Sequence, residues 1–285
     1  VIFKNGDDLR QDQLILQIIS LMDDLLKNVN IDMKLTPYKT MAWSKEDGVL
    51  ECVLASKTLQ EVLEKTKDNL DLHFRELAKK AVANSASWFF TELGMTPEQV
   101  KRETEMDKSR LLAFEDQAYH KILDNYIDSC AGYCVITYLL GIGDRHLENL
   151  MLCDTGKFLH IDFGFILGKD PKIFPPPFKL CKPMVEGMGG QKSPNYENFK
   201  RKCVQTFIYL RKYSKLIINL FQLMLDSGLK DLDVKGLEKL HEKFISQESD
   251  ENAEKIFLDL ITESVDALFS VFFDRMHIWA GYWKQ

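Results

Sequence analysis

The 285-residue sequence lacks a long uninterrupted apolar run, an excess of basic residues and any pair of cysteines spaced Cys-x-x-Cys. Its longest nearly apolar stretch, residues 130–142, is too short to cross a bilayer and predicts a buried helix. Because 43 acidic residues outnumber 37 basic ones, binding to nucleic acid through bulk charge is not expected. The 18 Phe and the 45% of hydrophobic residues are typical of a globular protein and exclude a disordered chain.

The few cysteines lie mostly in apolar runs, which predicts buried, reduced thiols in a cytosolic protein. A zinc cluster would need paired ligands on turns. The six are Cys52, Cys130, Cys134, Cys153, Cys181 and Cys203. The chain begins with Val1 in an apolar run, without Met or a signal peptide. We therefore expect a piece of a longer protein, truncated before its first strands and essentially complete at its C-terminus.

The hydrophobic pattern of the first fifty residues predicts the order β-α-β-β. Residues 1–4 are typical of the end of a strand, and apolar residues recur at helical spacing from residue 9 to about residue 28. Residues 34–43 and 49–54 predict two strands that are joined by a polar turn. From there the pattern becomes almost wholly helical, beginning with a short helix over residues 58–67.

The middle of the chain carries less signal. Residues 68–118 are charged and weakly patterned, and one hypothesis is a helical insertion that contacts a partner. Within them, Thr96 followed by Pro97 and, three residues after Thr96, by Gln99 indicates the start of a helix. A long helix is predicted over residues 116–140, where it ends at glycines.

A short β-region is predicted next. Residues 149–153 and 157–161 predict a hairpin. Residues 165–192, which contain five prolines, predict a long irregular loop, and such loops inside compact domains are usually functional. Residues 193–226 and 233–285 predict two further helical regions.

The strongest chemical signal lies between the long helix and this loop. Asp144-Arg145-His146 precedes Asn149, and Asp162 opens an Asp-Phe-Gly after the hairpin. In protein kinases a catalytic Asp precedes a metal-binding Asn by five residues, and the Asp of Asp-Phe-Gly is the second metal ligand. Here Asp144 precedes Asn149 by five. Protein kinases carry His-Arg-Asp at this place, whereas this chain carries Asp-Arg-His. The imidazole of His146, two residues after Asp144, is a natural proton acceptor at neutral pH.

Three ordered motifs resemble the phosphatidylinositol 3- and 4-kinase superfamily. They are Gly-Asp-Asp-Leu-Arg-Gln-Asp at 6–12, Gly-x-Gly-Asp-Arg-His-x-x-Asn at 141–149 and His-x-Asp-Phe-Gly at 160–164. Further stretches at 35–39, 129–138, 175–177 and 184–190 resemble class III phosphatidylinositol 3-kinases, the vacuolar-sorting and autophagy type. The resemblance covers nearly the whole chain except about residues 55–118.

The resemblance implies a bilobal α+β protein-kinase-like fold. Residues 1–53 would be the last part of a small β-rich N-lobe, and residues 54–285 a larger, mainly helical C-lobe. Within the C-lobe it implies a catalytic loop at 141–149, an activation loop at 162–190 and a C-terminal amphipathic helix at about 264–285.

The resemblance also implies roles for residues. The ATP-binding residues would be Lys4, Asp12, Tyr38, Leu50, Glu51, Cys52 and Val53. The catalytic residues would be His146, Asp144 and Arg145, with either His146 or Asp144 as the base, and Asn149 and Asp162 would hold Mg²⁺ or Mn²⁺. Lys4 can also be read as an edge-strand lysine, and Asp12 and Tyr38 as structural contacts.

The activation loop bears on the acceptor of the phosphoryl group. Family members that act on already phosphorylated inositides resemble one another in carrying a dense basic box there. In this chain Lys169, Lys172, Lys179 and Lys182 are spaced out and interrupted by three prolines. This favours a lightly charged head group, plain phosphatidylinositol, although single lysines commonly only solvate a loop.

The C-terminal helix offers a device for reaching a membrane. Its proposed membrane-contact residues, which include three aromatic residues of the interfacial type, are Phe272, Trp279, Tyr282 and Trp283. The alternative is an ordinary terminal helix that packs on the core.

The leading hypothesis is a catalytic domain that phosphorylates the 3-hydroxyl of phosphatidylinositol for endosomal trafficking and autophagy. The alternatives are a phosphatidylinositol 4-kinase, a protein Ser/Thr kinase of the same superfamily, or a catalytically silent scaffold. By resemblance we expect a regulatory protein-kinase-like subunit and an autophagy or endosomal adaptor as partners. The expected location is the cytoplasm, peripheral on endosomal or autophagic membranes.

Overall fold

The computed structural model describes the backbone of residues 1–84, 86–92, 94–96, 98–99, 102, 108–171, 176, 178 and 180–282. Side chains are described for the same residues except 92, 108 and 267–282. The described residues form two small antiparallel sheets and a large set of helices, so the predicted α+β class is confirmed.

The first sheet contains three strands in the order β1-β3-β2, and a long helix packs against it. The elements are β1 (Ile2–Asn5), α1 (Arg10–Lys27), β2 (Thr40–Ala42) and β3 (Asp47–Leu50). Gln13 of α1 ties the helix to the sheet because its side-chain oxygen accepts a hydrogen bond from the Ala42 amide at 2.8 Å. The predicted order β-α-β-β is confirmed.

The two predicted strands in this region are shorter than the sequence pattern indicates. Lys34 has a φ of 50°, and its amide and ammonium groups both bind Asp32, so the chain turns locally instead of entering a sheet. The chain then pairs only from Thr40 onward. β3 ends at Leu50, and the residues that follow lead out of the sheet.

The second sheet joins the predicted hairpin to a strand that the pattern did not predict. The hairpin, β5 (Leu150–Cys153) and β6 (Phe158–His160), is confirmed. Its missed partner is β4 (Ser56–Thr58), which is only three residues long and mostly polar. Thr58 also caps the next helix, α2 (Leu59–Thr66), because its side chain accepts from the Glu61 amide while the Glu61 carboxylate accepts from the Thr58 amide.

Helices make up most of the remaining described chain, and 3₁₀ turns lie at Leu147–Asn149 and Leu225–Ser227. The helices are α3 (Leu70–Ala83), α4 (Ser87–Glu92), α5 (Lys108–Leu139), α6 (Lys182–Gly187), α7 (Pro194–Arg211), α8 (Ser214–Leu223), α9 (Val234–Lys243) and α10 (Asp250–Tyr282).

The weakly patterned region 68–118 contributes to the core. α3 buries Phe74 against Tyr126 of α5, with ring centroids 4.9 Å apart. α5 begins at Lys108, eight residues before the predicted start at 116. Thr96 and Gln99 do exchange the hydrogen bonds of a helix start, as their spacing predicts. A face of α3 therefore packs inside the molecule, which the hypothesis of a partner-binding insertion did not anticipate.

A cluster of aromatic side chains joins the long central helix to the C-terminal one. Phe257 of α10 stacks on Phe207 of α7 at 4.0 Å, and Tyr138 of α5 stacks on Phe178 at 5.0 Å. The first half of α10 therefore packs on the core.

The predicted membrane-contact side chains Phe272, Trp279, Tyr282 and Trp283 lie outside the described residues. Over the described part of the chain, no helix has the length and apolarity needed to cross a bilayer.

The cysteine prediction is only partly correct. All six thiols are free, and Cys130, Cys134, Cys153 and Cys203 are buried. Cys52 is exposed, because it follows β3 at the point where the chain leaves the first sheet.

The hairpin turn between β5 and β6 generates a stability prediction. Gly156 has a φ of 84°, and a Cβ there would lie 2.2 Å from the carbonyl oxygen of Ile122 in α5. We expect Gly156→Ala to lower the free energy of unfolding by about 2–4 kcal/mol, because left-handed strain adds to steric overlap. Gly228→Ala is the control, since Gly228 has a φ of 70° with nothing within 4 Å, and it should cost about 1 kcal/mol. Equal losses in urea denaturation would contradict the overlap.

Candidate active site

A cavity of about 470 Å³ opens between the first sheet, the start of α1 and the β5–β6 hairpin. Every residue that was predicted to bind ATP or metal lines this cavity, although these residues come from distant parts of the chain. They are Lys4, Asp12, Tyr38, Leu50, Glu51, Cys52, Val53, Asn149 and Asp162. The fold thus brings a lysine, several carboxylates and an apolar strand end to one cavity, as a nucleotide site requires.

Asn149 and Asp162 form a pair of oxygen donors at one side of the cavity. The Asn149 amide nitrogen donates to the carbonyl of Asp144 at 2.9 Å, which leaves its side-chain oxygen to serve a ligand. Asp162 has a left-handed φ of 62°, and one carboxylate oxygen accepts from the Gly164 amide at 3.0 Å. An amide oxygen and a carboxylate fit a hard divalent cation.

Two protein donors are enough for a metal site of this kind. Among the described residues, no three His, Cys, Asp or Glu side chains cluster as metal ligands. Mg²⁺ in phosphotransferases is commonly held by one or two protein oxygens together with substrate phosphates. Two protein donors beside a nucleotide-sized cavity suit that mode of binding.

The catalytic loop is pinned to the segment after Asp-Phe-Gly by backbone hydrogen bonds. The Gly143 amide donates to the carbonyl of Phe165 at 2.8 Å, and the Leu167 amide donates to the carbonyl of Leu140 at 2.9 Å. A Cβ on Gly143 would lie 2.3 Å from the carbonyl oxygen of Lys169. Only glycine therefore permits the two segments to lie this close.

Arg145 ties the same two segments together through its side chain. Its guanidinium donates to the carbonyls of Gly143 at 2.8 Å and Ile161 at 2.7 Å, and also to that of Asp162. Burial lowers the pKa of Arg145 from its ordinary value, and the carboxylates of Asp162 and Asp144 oppose that shift. Because its donors bind backbone carbonyls, we assign Arg145 as a positioning residue within the group predicted to be catalytic.

His146 and Asp144 sit together on the exposed part of the loop. The His146 Nε2 atom lies 4.0 Å from Asp144 Oδ2, and its Nδ1 atom lies 3.8 Å from Glu148 Oε2. Asp144 has a left-handed φ of 50°, and its carbonyl accepts from the His146 amide at 3.2 Å. The imidazole thus lies between two carboxylates.

Asp12 and Tyr38 occupy the inner end of the cavity and also contact the Asp-Phe-Gly segment. Asp12 Oδ1 accepts from the Phe163 amide at 3.0 Å. Burial raises the pKa of Asp12 to about 6, against the lowering effect of that hydrogen bond. Burial likewise raises the pKa of Tyr38, which is 7% exposed. The sequence left open whether Asp12 and Tyr38 line the pocket or make structural contacts, and in the structure these side chains do both.

Two of the four predicted substrate-loop lysines can be described, and both are engaged within the protein. The Lys169 ammonium lies 3.0 Å from Asp233 Oδ2, and that of Lys182 lies 3.4 Å from Glu186 Oε1. Lys172 and Lys179 lie outside the described residues. The sequence did not predict that Lys169 forms an ion pair with Asp233.

Sequence reasoning missed several residues that line the cavity. Gln11 and Ile161 lie inside the motifs at residues 6–12 and 160–164, so the sequence did contain a signal for them. Leu229 and Lys230 carried no signal, because they follow a helical region far along the chain.

Comparison with known proteins agrees with this geometry. The family model described as phosphatidylinositol 3- and 4-kinase matches residues 1–234. The chain is 45% identical over its whole length to the phosphatidylinositol 3-kinase pik3 of Schizosaccharomyces pombe, covering 32% of that protein. It is 45% identical to VPS34 of Arabidopsis thaliana and 40% identical to VPS34 of Saccharomyces cerevisiae, again over its whole length, covering 31% and 29% of those phosphatidylinositol 3-kinases.

Two lobes with a nucleotide-sized cavity between them, lined by an amide and a carboxylate that suit a divalent metal, are typical of a kinase-type phosphotransferase. The chain belongs to the phosphatidylinositol 3- and 4-kinase family, whose members use ATP and a divalent metal. It spans about a third of the length of the curated relatives that it matches.

Lys4 generates a prediction about nucleotide binding. Its ammonium lies 3.3 Å from Asp7 and lines the cavity as a point charge that suits a phosphate. We expect Lys4→Gln in the full-length protein to weaken ATP binding about tenfold, or about 1.4 kcal/mol, by calorimetric titration. The control is Lys45→Gln, which removes an exposed charge from the turn before β3. Equal affinities for Lys4→Gln and wild type would mean that Lys4 is an ordinary edge-strand lysine.

Proposed function

We propose that the chain is the catalytic part of a phosphatidylinositol 3-kinase, which transfers the γ-phosphate of ATP to the 3-hydroxyl of phosphatidylinositol. The observation that carries the proposal is the meeting of Lys4, Asn149 and Asp162 in one cavity. The whole-chain identity of 40–45% to proteins named phosphatidylinositol 3-kinase supports the same reaction. The residue roles that follow are part of the proposal.

The cavity has a division of surfaces that suits ATP. Leu50 is the last residue of β3, and Glu51, Cys52 and Val53 follow it, so that backbone groups of this segment that do not pair in the sheet can bind adenine. Lys4 faces the phosphates as a compact cation. Asn149 and Asp162 would hold Mg²⁺ or Mn²⁺, which supplies charge neutralisation to the phosphates when it is bound.

The reaction forms one bond from the 3-hydroxyl oxygen to the γ-phosphorus and breaks the bond from that phosphorus to the bridging oxygen of ADP. The hydroxyl proton must leave as the new bond forms. We assign its acceptor as His146, whose imidazole lies 4.0 Å from the Asp144 carboxylate. The negative charge of Asp144 then stabilises the imidazolium, and solvent removes the proton after ADP departs.

The choice of a lightly charged lipid rests on the charges of the activation loop. A head group with extra phosphates needs several free cations at the site. Lys169 and Lys182 are each paired with a carboxylate of the chain, which reduces their value as phosphate ligands. This supports phosphatidylinositol itself as the acceptor, and a phosphorylated inositide fits less well.

The same proposal includes a peripheral membrane location, since the acceptor is a membrane lipid. We propose that the end of α10 contacts the bilayer and that the full-length protein acts on endosomal or autophagic membranes. A regulatory protein-kinase-like subunit and an endosomal or autophagy adaptor are the partners that this function calls for.

A lipid-kinase assay of the full-length protein tests the acceptor and the position. Vesicles that contain phosphatidylinositol, its 4-phosphate or its 4,5-bisphosphate are incubated with labelled ATP, and the product isomers are separated by chromatography. We expect phosphatidylinositol 3-phosphate as the dominant product. A 4-phosphate product, or transfer to protein serine alone, would replace the proposal with another activity of the same superfamily.

Asp162 generates the prediction for the metal role. Asp162→Asn keeps the size of the side chain but removes the charge that binds the cation. We expect kcat to fall about a thousandfold, because the metal contributes several kcal/mol of transition-state stabilisation. The control is Asp154→Asn, at the exposed hairpin turn. A turnover close to wild type in Asp162→Asn would remove Asp162 from the metal site.

A further inference from the structure

A small buried polar network holds the backbone of the Asp-Phe-Gly segment from outside the catalytic loop. It consists of Gln11 at the start of α1 and Asp231 in the segment between the 3₁₀ turn Leu225–Ser227 and α9. We propose that Gln11 and Asp231 are positioning residues, which fix residues 163–166 and thereby aim the Asp162 carboxylate into the cavity. The inference rests on the proposed metal role of Asp162.

Gln11 binds two separate pieces of backbone at once. Its side-chain nitrogen donates to the carbonyl of Phe163 at 2.9 Å, and its side-chain oxygen accepts from the Asp231 amide at 3.2 Å. The residue is 5% exposed. A buried amide with both ends engaged is costly to disturb, because each partner would be left without a hydrogen bond.

Asp231 completes the network from the other side. Its Oδ2 atom accepts from the Ile166 amide at 3.3 Å and from the Gln11 side chain at 3.4 Å. The residue is 3% exposed. Its other oxygen lies 4.0 Å from the ammonium of Lys169. One carboxylate therefore joins α1, the segment after Asp-Phe-Gly and the first lysine of the activation loop.

The backbone of Asp162 explains why such a hold is needed. Its φ of 62° is a conformation that non-glycine residues adopt at a cost, and it persists only where the surroundings enforce it. Phe163, the next residue, is held at its amide by Asp12 and at its carbonyl by Gln11. Gln11 and Asp231 thus fix the chain on the far side of the strained residue, while Arg145 holds the carbonyl of Asp162 itself.

This placement gives the network a consequence for metal binding. Residues behind a metal ligand typically change metal affinity about 10–100-fold when they are replaced. Gln11 lines the cavity beside Asp162, whereas Asp231 lies behind the segment. Loss of either residue should let the segment relax, so that Asp162 points into the cavity for a smaller fraction of the time.

The test uses the full-length protein and two measurements that do not depend on turnover. Gln11→Leu keeps most of the side-chain volume and removes every hydrogen bond. Gln17→Leu is the matched control, because Gln17 is exposed on the same helix. Hydrogen exchange is followed by mass spectrometry in peptides that cover residues 160–168, and Mn²⁺ binding is followed by electron paramagnetic resonance with a non-hydrolysable ATP analogue present.

We expect Gln11→Leu to speed exchange at the amides of Phe163 and Ile166 and to raise the Mn²⁺ dissociation constant about tenfold. Gln17→Leu should change neither. Asp231→Asn, which keeps an acceptor for the Ile166 amide, should have a smaller effect in the same direction. It also serves as the test if Gln11→Leu does not fold.

The proposal is overturned if Gln11→Leu lowers the melting temperature while exchange at residues 163–166 and Mn²⁺ affinity stay at wild-type values. If Gln11→Leu does not fold, the proposal is overturned when Asp231→Asn leaves both the exchange at residues 163–166 and the Mn²⁺ affinity at wild-type values. Failure of the proposed function is a separate result, namely a wild-type protein that binds Mn²⁺ and nucleotide without phosphorylating phosphatidylinositol. Hydrogen exchange and Mn²⁺ binding remain valid measurements in that case.

Discussion

The guanidinium of Arg145 is the point on which the candidate site depends. It bridges the carbonyl of Gly143 in the catalytic loop and the carbonyls of Ile161 and Asp162 at the end of the hairpin. The two segments carry the residues proposed for proton transfer and for metal binding, so their relative position decides whether both act on one phosphate. This half-buried cation has three carbonyl partners, and it keeps all three hydrogen bonds only while the two segments stay close together.

The described residues that line the cavity include more carboxylates than cations. Asp7, Asp8, Asp12, Glu51 and Asp162 line the cavity, whereas Lys4 and Lys230 are the cations among its described lining residues. Such a site is poorly suited to a bare nucleotide, which is itself an anion, and well suited to a nucleotide that arrives with a divalent cation. The raised pKa of Asp12 fits the same picture, because burial and the neighbouring carboxylates both favour its neutral form.

Local motifs predicted most of the site, since their chemistry lies in short spacings such as the five residues from Asp144 to Asn149. They also predicted the hairpin and α1, where hydrophobic periodicity is strong. The strand β4 was missed because three mostly polar residues are indistinguishable from a loop until β5 pairs with them. The contact between Gln11 and Asp231 joins residues 220 positions apart, and no single-sequence pattern encodes such a pairing.

The ion pairs of Lys169 give the activation loop a second connection to the nucleotide site. Lys169 lies 3.0 Å from Asp233 and 4.0 Å from Asp231, while Leu229 and Lys230 from the same segment line the cavity. The segment 229–233 therefore lines the cavity and contacts both the backbone amide of Ile166, which follows Asp-Phe-Gly, and Lys169 in the loop predicted to read the lipid. Lys169 and the Ile166 amide both lie against the one carboxylate of Asp231. The segment 229–233, which lies outside the motifs that resemble the family, thus connects the parts of the site proposed for the nucleotide and for the lipid.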